Sequence, residues 1–175
     1  MPKYKKSTTA ELVRELLSYD PDTGYIEWKK RRAGQRPPGS YAGYISTHDG
    51  YRSIRIDGVS YRAHRIIWLY VTGEWPQTEI DHINLDKQDN SWKNLRLATH
   101  KQNMTNVAPK IRKDGTRHLK GAYRADRGLN DRWFAQIRHN NKVVRLGTFD
   151  TPEEAHAAYC KAAKELFGEF ARYSQ

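Results

Sequence analysis

Asp81 and His82 stand side by side in the segment EIDHI, residues 79–83, and two asparagines follow at positions 94 and 103. These residue types form a workable set for hydrolysing a phosphodiester. Asp81 offers a carboxylate oxygen and Asn103 an amide carbonyl oxygen, donors that suit a hard cation, Mg²⁺ or Mn²⁺, over zinc. Adjacent strand residues point to opposite faces, so His82 does not duplicate Asp81 as a ligand. It can stand across the substrate and take a proton from water, which a neutral imidazole does near pH 7. The base makes the nucleophile; the metal polarises the phosphate and stabilises the departing oxyanion. A plainer account also fits. Asp81 and His82 could be a surface ion pair, Asn94 a turn residue and Asn103 a helix-surface residue.

Bringing these four residues together needs a strand, a loop, a strand and a helix. The sequence supplies them as EIDHI, NLDKQDNSWK, NLRLAT and THKQNMTNV. Upstream, TTAELVRELLSY predicts a helix with a capping box between Thr8 and Glu11. YDPDTGYIEWKK predicts a turn followed by a strand. Asp49-Gly50 and Asp57-Gly58 sit between alternating segments and predict two β-hairpins. AHRIIWLYVTG is nearly all apolar and predicts a core helix ending at Gly73. His64, at its start, is expected to be hydrogen-bonded and partly buried. Asn90 is read as a loop former.

Downstream, residues 108–119 are basic and contain Pro and Gly, as a linker does. GAYRAD, RWFAQIRH and KVVRLGTF predict three strands. TPEEAHAAYCKAAKELFG predicts a helix with Thr151 as N-cap, Pro152 in the first turn, Glu154 completing a capping box and Gly168 as the stop. Ala155, Ala158, Tyr159, Ala162, Ala163 and Leu166 form its apolar stripe.

Composition narrows the partners. The formal net charge is +11 in 175 residues, with 31 Lys+Arg against 20 Asp+Glu. That excess suits a polyanion, nucleic acid first. A membrane surface fits less well, because no long helix opposes a basic face to a continuous apolar one. Hydrophobic residues are 37%, so two or three small cores are expected in place of one large one. Cys160 stands alone, which excludes an internal disulfide and a multi-cysteine zinc site and suits a reducing cytoplasm. The N-terminus has no apolar signal core.

IDHINLDKQDNSWKNLRLATHKQNMTN resembles the HNH, or ββα-metal, nuclease motif of phage and intron-encoded homing endonucleases. The resemblance extends upstream through DGYRSIRIDGVSYRAHRIIWLYVTGEWP to about residue 12. It implies that His82 is the general base and that Asp81 and Asn103 hold one Mg²⁺ or Mn²⁺. It makes Asn94 the loop asparagine that pins the two strands and steadies His82. It also implies products with a 5′-phosphate and a 3′-hydroxyl. Asn103 stands where other members have histidine, which favours Mg²⁺ or Mn²⁺. Arg96 alternates with core residues and could contact a phosphate.

KGAYR, WFAQIR and VVRLGTFDTPEEAHAAYCKAA resemble the plant AP-two, or ethylene-response, DNA-binding domain. That family lays its sheet in the major groove of double-stranded DNA and packs a helix behind. In RWFAQIR, Trp133, Ala135 and Ile137 alternate with Arg132, Phe134, Gln136 and Arg138, so the second set would face DNA. Gln136, Arg138 and Arg145 are candidate base or phosphate contacts. Tyr123 and Ala125 occupy positions that often hold base-reading arginines, and the first hairpin loop, with Arg127, is longer. Lys110, Arg112, Lys113, Arg117 and Lys120 would follow the backbone or minor groove.

The expected fold is α+β: a ββα-metal HNH nuclease core with an N-terminal β-hairpin extension, plus a three-stranded antiparallel sheet packed on one helix. Expected borders are 1–107 for the nuclease, 108–119 for the linker and 120–175 for the DNA reader. The expected function is sequence-guided DNA cleavage by a monomer in the cytoplasm of a bacterial or phage-infected cell. The rivals are a non-catalytic DNA-binding regulator and a structure-selective or host-defence nuclease.

Overall fold

The structure is a computed structural model that describes residues 8–30, 37–105, 119–125, 132–140 and 142–171. The chain divides into two compact units, residues 1–100 and 101–175. The expected linker lies outside the described residues except for Leu119.

In the first unit, α1 (Ala10–Leu16) leads directly into β1 (Leu17–Tyr19), which pairs antiparallel with β2 (Ile26–Trp28). The cap of α1 is Thr9, not Thr8: the Thr9 hydroxyl accepts from the Leu12 amide. Thr8 is unavailable because it is buried and its hydroxyl lies 2.9 Å from the Tyr61 hydroxyl. β3 (Tyr44–Ile45), β4 (Arg52–Ile56) and β5 (Val59–Arg62) form an antiparallel meander across both Asp-Gly turns. α2 (Ala63–Thr72) follows without a break and ends at Gly73, in the left-handed region.

β6 (Glu79–His82) and β7 (Leu95–Ala98) form a separate two-stranded antiparallel sheet. β7 begins one residue later than expected, because Trp92–Asn94 form a 3₁₀ turn. One apolar cluster joins these pieces. Val13, Leu17, Ile26, Ile54, Ile56, Ile66 and Ile67 are fully buried in it, and Ile80 and Leu95 anchor β6 and β7 to the same core. Burial of such side chains, worth roughly 1.5–3 kcal/mol each, fixes the sheet that carries Asp81 and His82.

The second unit holds α3 (His100–Thr105) from Lys101 onward, then β8 (Ala122–Arg124), β9 (Trp133–His139), β10 (Lys142–Phe149) and α4 (Pro152–Phe167). The three strands form one antiparallel sheet with β9 in the centre. α4 starts as its sequence predicts, with a reciprocal capping box between Thr151 and Glu154. Ala135 and Ile137 are buried against Ala155, Tyr159 and Ala163 in two small clusters. The alanines let the helix lie close on the sheet. Leu166 is not part of the stripe as expected. It is exposed, and Phe167 packs against the cluster instead.

Candidate active site and nucleic-acid interface

Asp81 and His82 end the short strand β6, and both are buried, at 3% and 4% exposure. That excludes the surface ion-pair account. Asp81 lies directly opposite Arg96 on β7, and His82 opposite Leu95. The Arg96 guanidinium donates from Nε (2.9 Å) and Nη2 (2.8 Å) to Oδ2 of Asp81. Arg96, expected at a phosphate, is therefore engaged with the carboxylate beside the candidate base.

Among its neighbours, His82 has Nε2 3.3 Å from the side-chain oxygen of Asn90. The orientation of that amide is fixed, because its Nδ2 donates to the Gln88 carbonyl at 3.1 Å. An amide oxygen only accepts, so Nε2 carries the proton and the basic lone pair sits on Nδ1. Asn90 is thus more than a loop former. It is 1% exposed and sets the tautomer of His82.

The Asn90 loop is itself held by the N-terminal hairpin. The Tyr19 hydroxyl donates to the Asn90 carbonyl at 2.8 Å, and the Trp92 amide donates to the Pro21 carbonyl at 2.8 Å. Gly24 (φ +75°) lies flat against the same backbone. A Cβ there would fall 2.4 Å from the Ser91 nitrogen. Only glycine tolerates both the conformation and the approach.

Asn94 is buried and bridges the loop. Its side-chain oxygen accepts from the Asn84 amide (2.9 Å), and its Nδ2 donates to the Asp89 carbonyl (2.7 Å). Its own carbonyl accepts from the Ile83 amide at 2.9 Å, one residue past His82.

His64, expected to be partly buried, is buried, and its place beside His82, like that of Tyr51, was not foreseen. The His64 ring stands edge-on to His82, with centroids 5.1 Å apart, and Tyr51 lies 5.2 Å from His64 and 5.8 Å from His82. α2 positions His64, and Tyr51 immediately precedes β4, so only the fold brings them to position 82. Burial pushes the His64 pKa down to about 3, helped by the nearby His82, Arg65 and Arg62. Burial also lowers that of His82, opposed by the Asn90 hydrogen bond and by Asp81, Asp89 and Asp86. Both rings are neutral at neutral pH, the form a base requires.

The oxygen donors suit a hard cation. Asp81 brings a carboxylate to this site, with Arg96 on its Oδ2. Asn103, the second expected donor, lies on α3 in the second unit and is partly buried. Among the described residues, no group of three His, Cys, Asp or Glu side chains forms a metal cluster. His100 is exposed, and its Nδ1 lies 2.9 Å from a Glu79 carboxylate oxygen.

In the second unit, an open cleft of about 350 Å³ at the edge of the sheet is lined by Lys120, Tyr123, Gln136 and Arg138 together with Ile137, Tyr159 and Phe167 from the α4 side. Phe134, Gln136 and Arg138 project from the face opposite α4, as their alternation requires. Arg145 pairs with Gln136 across the strands, and its guanidinium lies 4.5 Å over the Phe134 ring. Arg132 instead pairs with Asp150 at 3.3 Å, beside the start of α4. Lys110, Arg112, Lys113, Arg117 and Arg127 lie outside the described residues.

Residues 61–105 match the HNH endonuclease family. Over 110 residues the chain is 34% identical to an uncharacterized HNH endonuclease, L560, of Acanthamoeba polyphaga mimivirus, covering 62% of the chain and 54% of that protein. Over 39 residues it is 51% identical to dehydration-responsive element-binding protein 2D of Arabidopsis thaliana, covering 21% of the chain and 19% of that protein. The chain thus spans about half the length of the viral relative and a fifth of the plant one. No solved structure matches it significantly. His64, Asp81, His82, Asn90, Asn94, Arg96 and Asn103 all fall within 61–105, the segment similar to an HNH endonuclease domain.

Proposed function

We propose that this protein is a sequence-guided, homing-type DNA endonuclease that nicks one strand with one divalent metal ion. The observation that carries the reading is the pairing of a buried, neutral His82, its tautomer set by Asn90, with the adjacent carboxylate of Asp81. Water attacks the phosphorus and gives its proton to Nδ1 of His82. The bond from phosphorus to the 3′-oxygen breaks, and that oxygen takes a proton from solvent. The products are a 5′-phosphate and a 3′-hydroxyl. Asp81 and Asn103 would hold Mg²⁺ or Mn²⁺, which supplies Lewis-acid polarisation of the phosphate and charge stabilisation at the leaving oxygen. Asn94 holds the loop between β6 and β7 closed, so the base keeps its place.

Residues 1–107 would form the nuclease, 108–119 a basic linker along the DNA backbone and 120–175 an AP-two-type reader of double-stranded DNA. The partial similarity to a plant protein named as element-binding supports the last assignment. The net charge of +11 supports the substrate. No helix among the described residues is long and apolar enough to cross a membrane, and cytoplasmic action in a bacterial or phage-infected cell is part of the proposal.

The test is cleavage of supercoiled DNA in Mg²⁺ by the wild-type chain and by His82→Ala. A general base supplies roughly 10²–10⁴ in rate, so the variant should lose cleavage by that factor while binding DNA normally. Equal cleavage by both proteins refutes the base assignment. Binding without any cleavage by wild type favours the non-catalytic regulator.

A further inference from the structure

The outward face of the β8–β9–β10 sheet carries a ridge that the function above does not explain. Tyr123 and Phe134 are directly opposed across β8 and β9, their rings stacked at 5.5 Å and inclined by 19°. On the far side of Phe134, from β10, the Arg145 guanidinium lies 4.5 Å over the same ring. Phe134 is therefore covered on both faces. Near-parallel rings on neighbouring strands, which are ~4.8 Å apart, must stand up from the sheet and present their edges outward. Tyr123 is 46% exposed, and Val143, opposite Arg138 on the same face, is 53% exposed.

Exposed aromatics on a sheet often serve as platforms for unstacked bases, which need an open ring face. Phe134 offers none. A standing apolar edge bordered by Arg138 and Arg145 fits the major groove of a duplex instead, where the cations meet phosphate or guanine. The one apolar group displayed there is the thymine C5-methyl, recognised by side chains such as Phe, Ala and Thr. The two rings cannot donate to guanine or adenine acceptors, apart from the Tyr123 hydroxyl at its tip.

Resting on the reading of residues 120–175 as a duplex-DNA reader, we propose that Tyr123 and Phe134 make this protein select target sites by thymine methyl groups. Arg145, held by the Phe134 ring, reads or anchors the neighbouring position. Specificity then comes from an apolar contact at the sheet centre.

The experiment uses the full chain in EDTA, where binding is measured without cleavage. A bound duplex is selected from a random pool, and each of its thymines is replaced in turn by deoxyuracil, which lacks only the methyl. Burying one methyl is worth about 0.8 kcal/mol, so uracil at the contacted position should weaken binding about fourfold. Tyr123→Phe should keep this discrimination, and Tyr123→Ala or Phe134→Ala should abolish it. Indifference of the wild-type chain to uracil at every position overturns the proposal, as does tighter binding to single strands than to duplex. Absence of any DNA binding fails the underlying reading instead. The uracil series needs no variant, so a misfolded mutant cannot obscure the result.

Discussion

Arg96 faces Asp81 across the β6–β7 ladder and sends two donors, at 2.9 and 2.8 Å, to a single oxygen of its carboxylate. The two are 12% and 3% exposed, so each neutralises a charge the other could not leave in so dry a place. Breaking a buried pair by removing one partner typically costs about 3–5 kcal/mol. Arg96→Gln should approach the lower figure in urea-induced unfolding without divalent metal. Millimolar Mg²⁺ should restore more stability to the variant than to wild type, because a cation at Asp81 replaces the lost guanidinium. Equal Mg²⁺ effects on both proteins count against Asp81 as a ligand.

His82 depends on Asn90 for its tautomer, which yields a graded prediction. Asn90→Ala removes the acceptor at Nε2 and frees the ring to rotate or to carry its proton on Nδ1. Such supporting residues commonly matter by 10–100-fold. Single-turnover cleavage should fall by about that factor, with DNA affinity preserved. Asn90→Asp keeps an acceptor and should lose less. An alanine variant that cleaves at the wild-type rate would show that Asn90 serves the loop alone.

The N-terminal hairpin enters the same chain of support. Gly24→Ala places a Cβ 2.4 Å from the Ser91 nitrogen at a backbone conformation that L side chains rarely adopt. The loop at 90–91 must shift or the hairpin must part from it. The expected result is a lowered melting temperature and reduced cleavage together, although Gly24 lies in the turn between β1 and β2, outside the sheet that carries His82. Alanine tolerated without change in either readout removes the hairpin from the site's support.

Much of this arrangement was legible locally. Asp-Gly turns, the Thr151–Glu154 box and the alternation of Ala135 and Ile137 with Gln136 and Arg138 are short-range signals, and the fold follows them. What escaped notice depends on long-range register. Arg96 meets Asp81 only because β7 pairs with β6 at that offset. His64 and Tyr51 reach His82 only through the packing of α2 and β4 on one core. Thr9 displaces Thr8 as cap because Tyr61, more than 50 residues away, takes the Thr8 hydroxyl. No window of sequence contains those choices.

Stability should decline in acid because of His64. Its folded pKa is about 3 against an ordinary value of 6.5, so the unfolded chain binds a proton that the native chain refuses. This contribution is fully present above about pH 6.5 and is lost as pH falls from there toward 3, at a slope approaching 1.4 kcal/mol per pH unit. His64→Gln, which has no such titration, should flatten the dependence between pH 6.5 and 4.5 in denaturant titrations. A variant with the wild-type slope would place the acid sensitivity elsewhere.

The last prediction concerns how many strands are cut. One chain has one Asp81–His82 pair and one candidate set of oxygen donors, so it attacks one phosphodiester at a time. Its proposed reader is a single three-stranded sheet with no symmetric counterpart within the described residues. An asymmetric reader joined to one nuclease site matches a monomer on a long, non-palindromic target. The expected product is therefore a nick, with any second cut arising slowly, after rearrangement or from a second molecule. Supercoiled plasmid carrying the site, sampled over time with enzyme limiting, should accumulate open circle before linear DNA. Sedimentation of the free protein should report a single chain. Direct conversion to linear product by a sedimenting dimer would show instead that two copies assemble a paired active site.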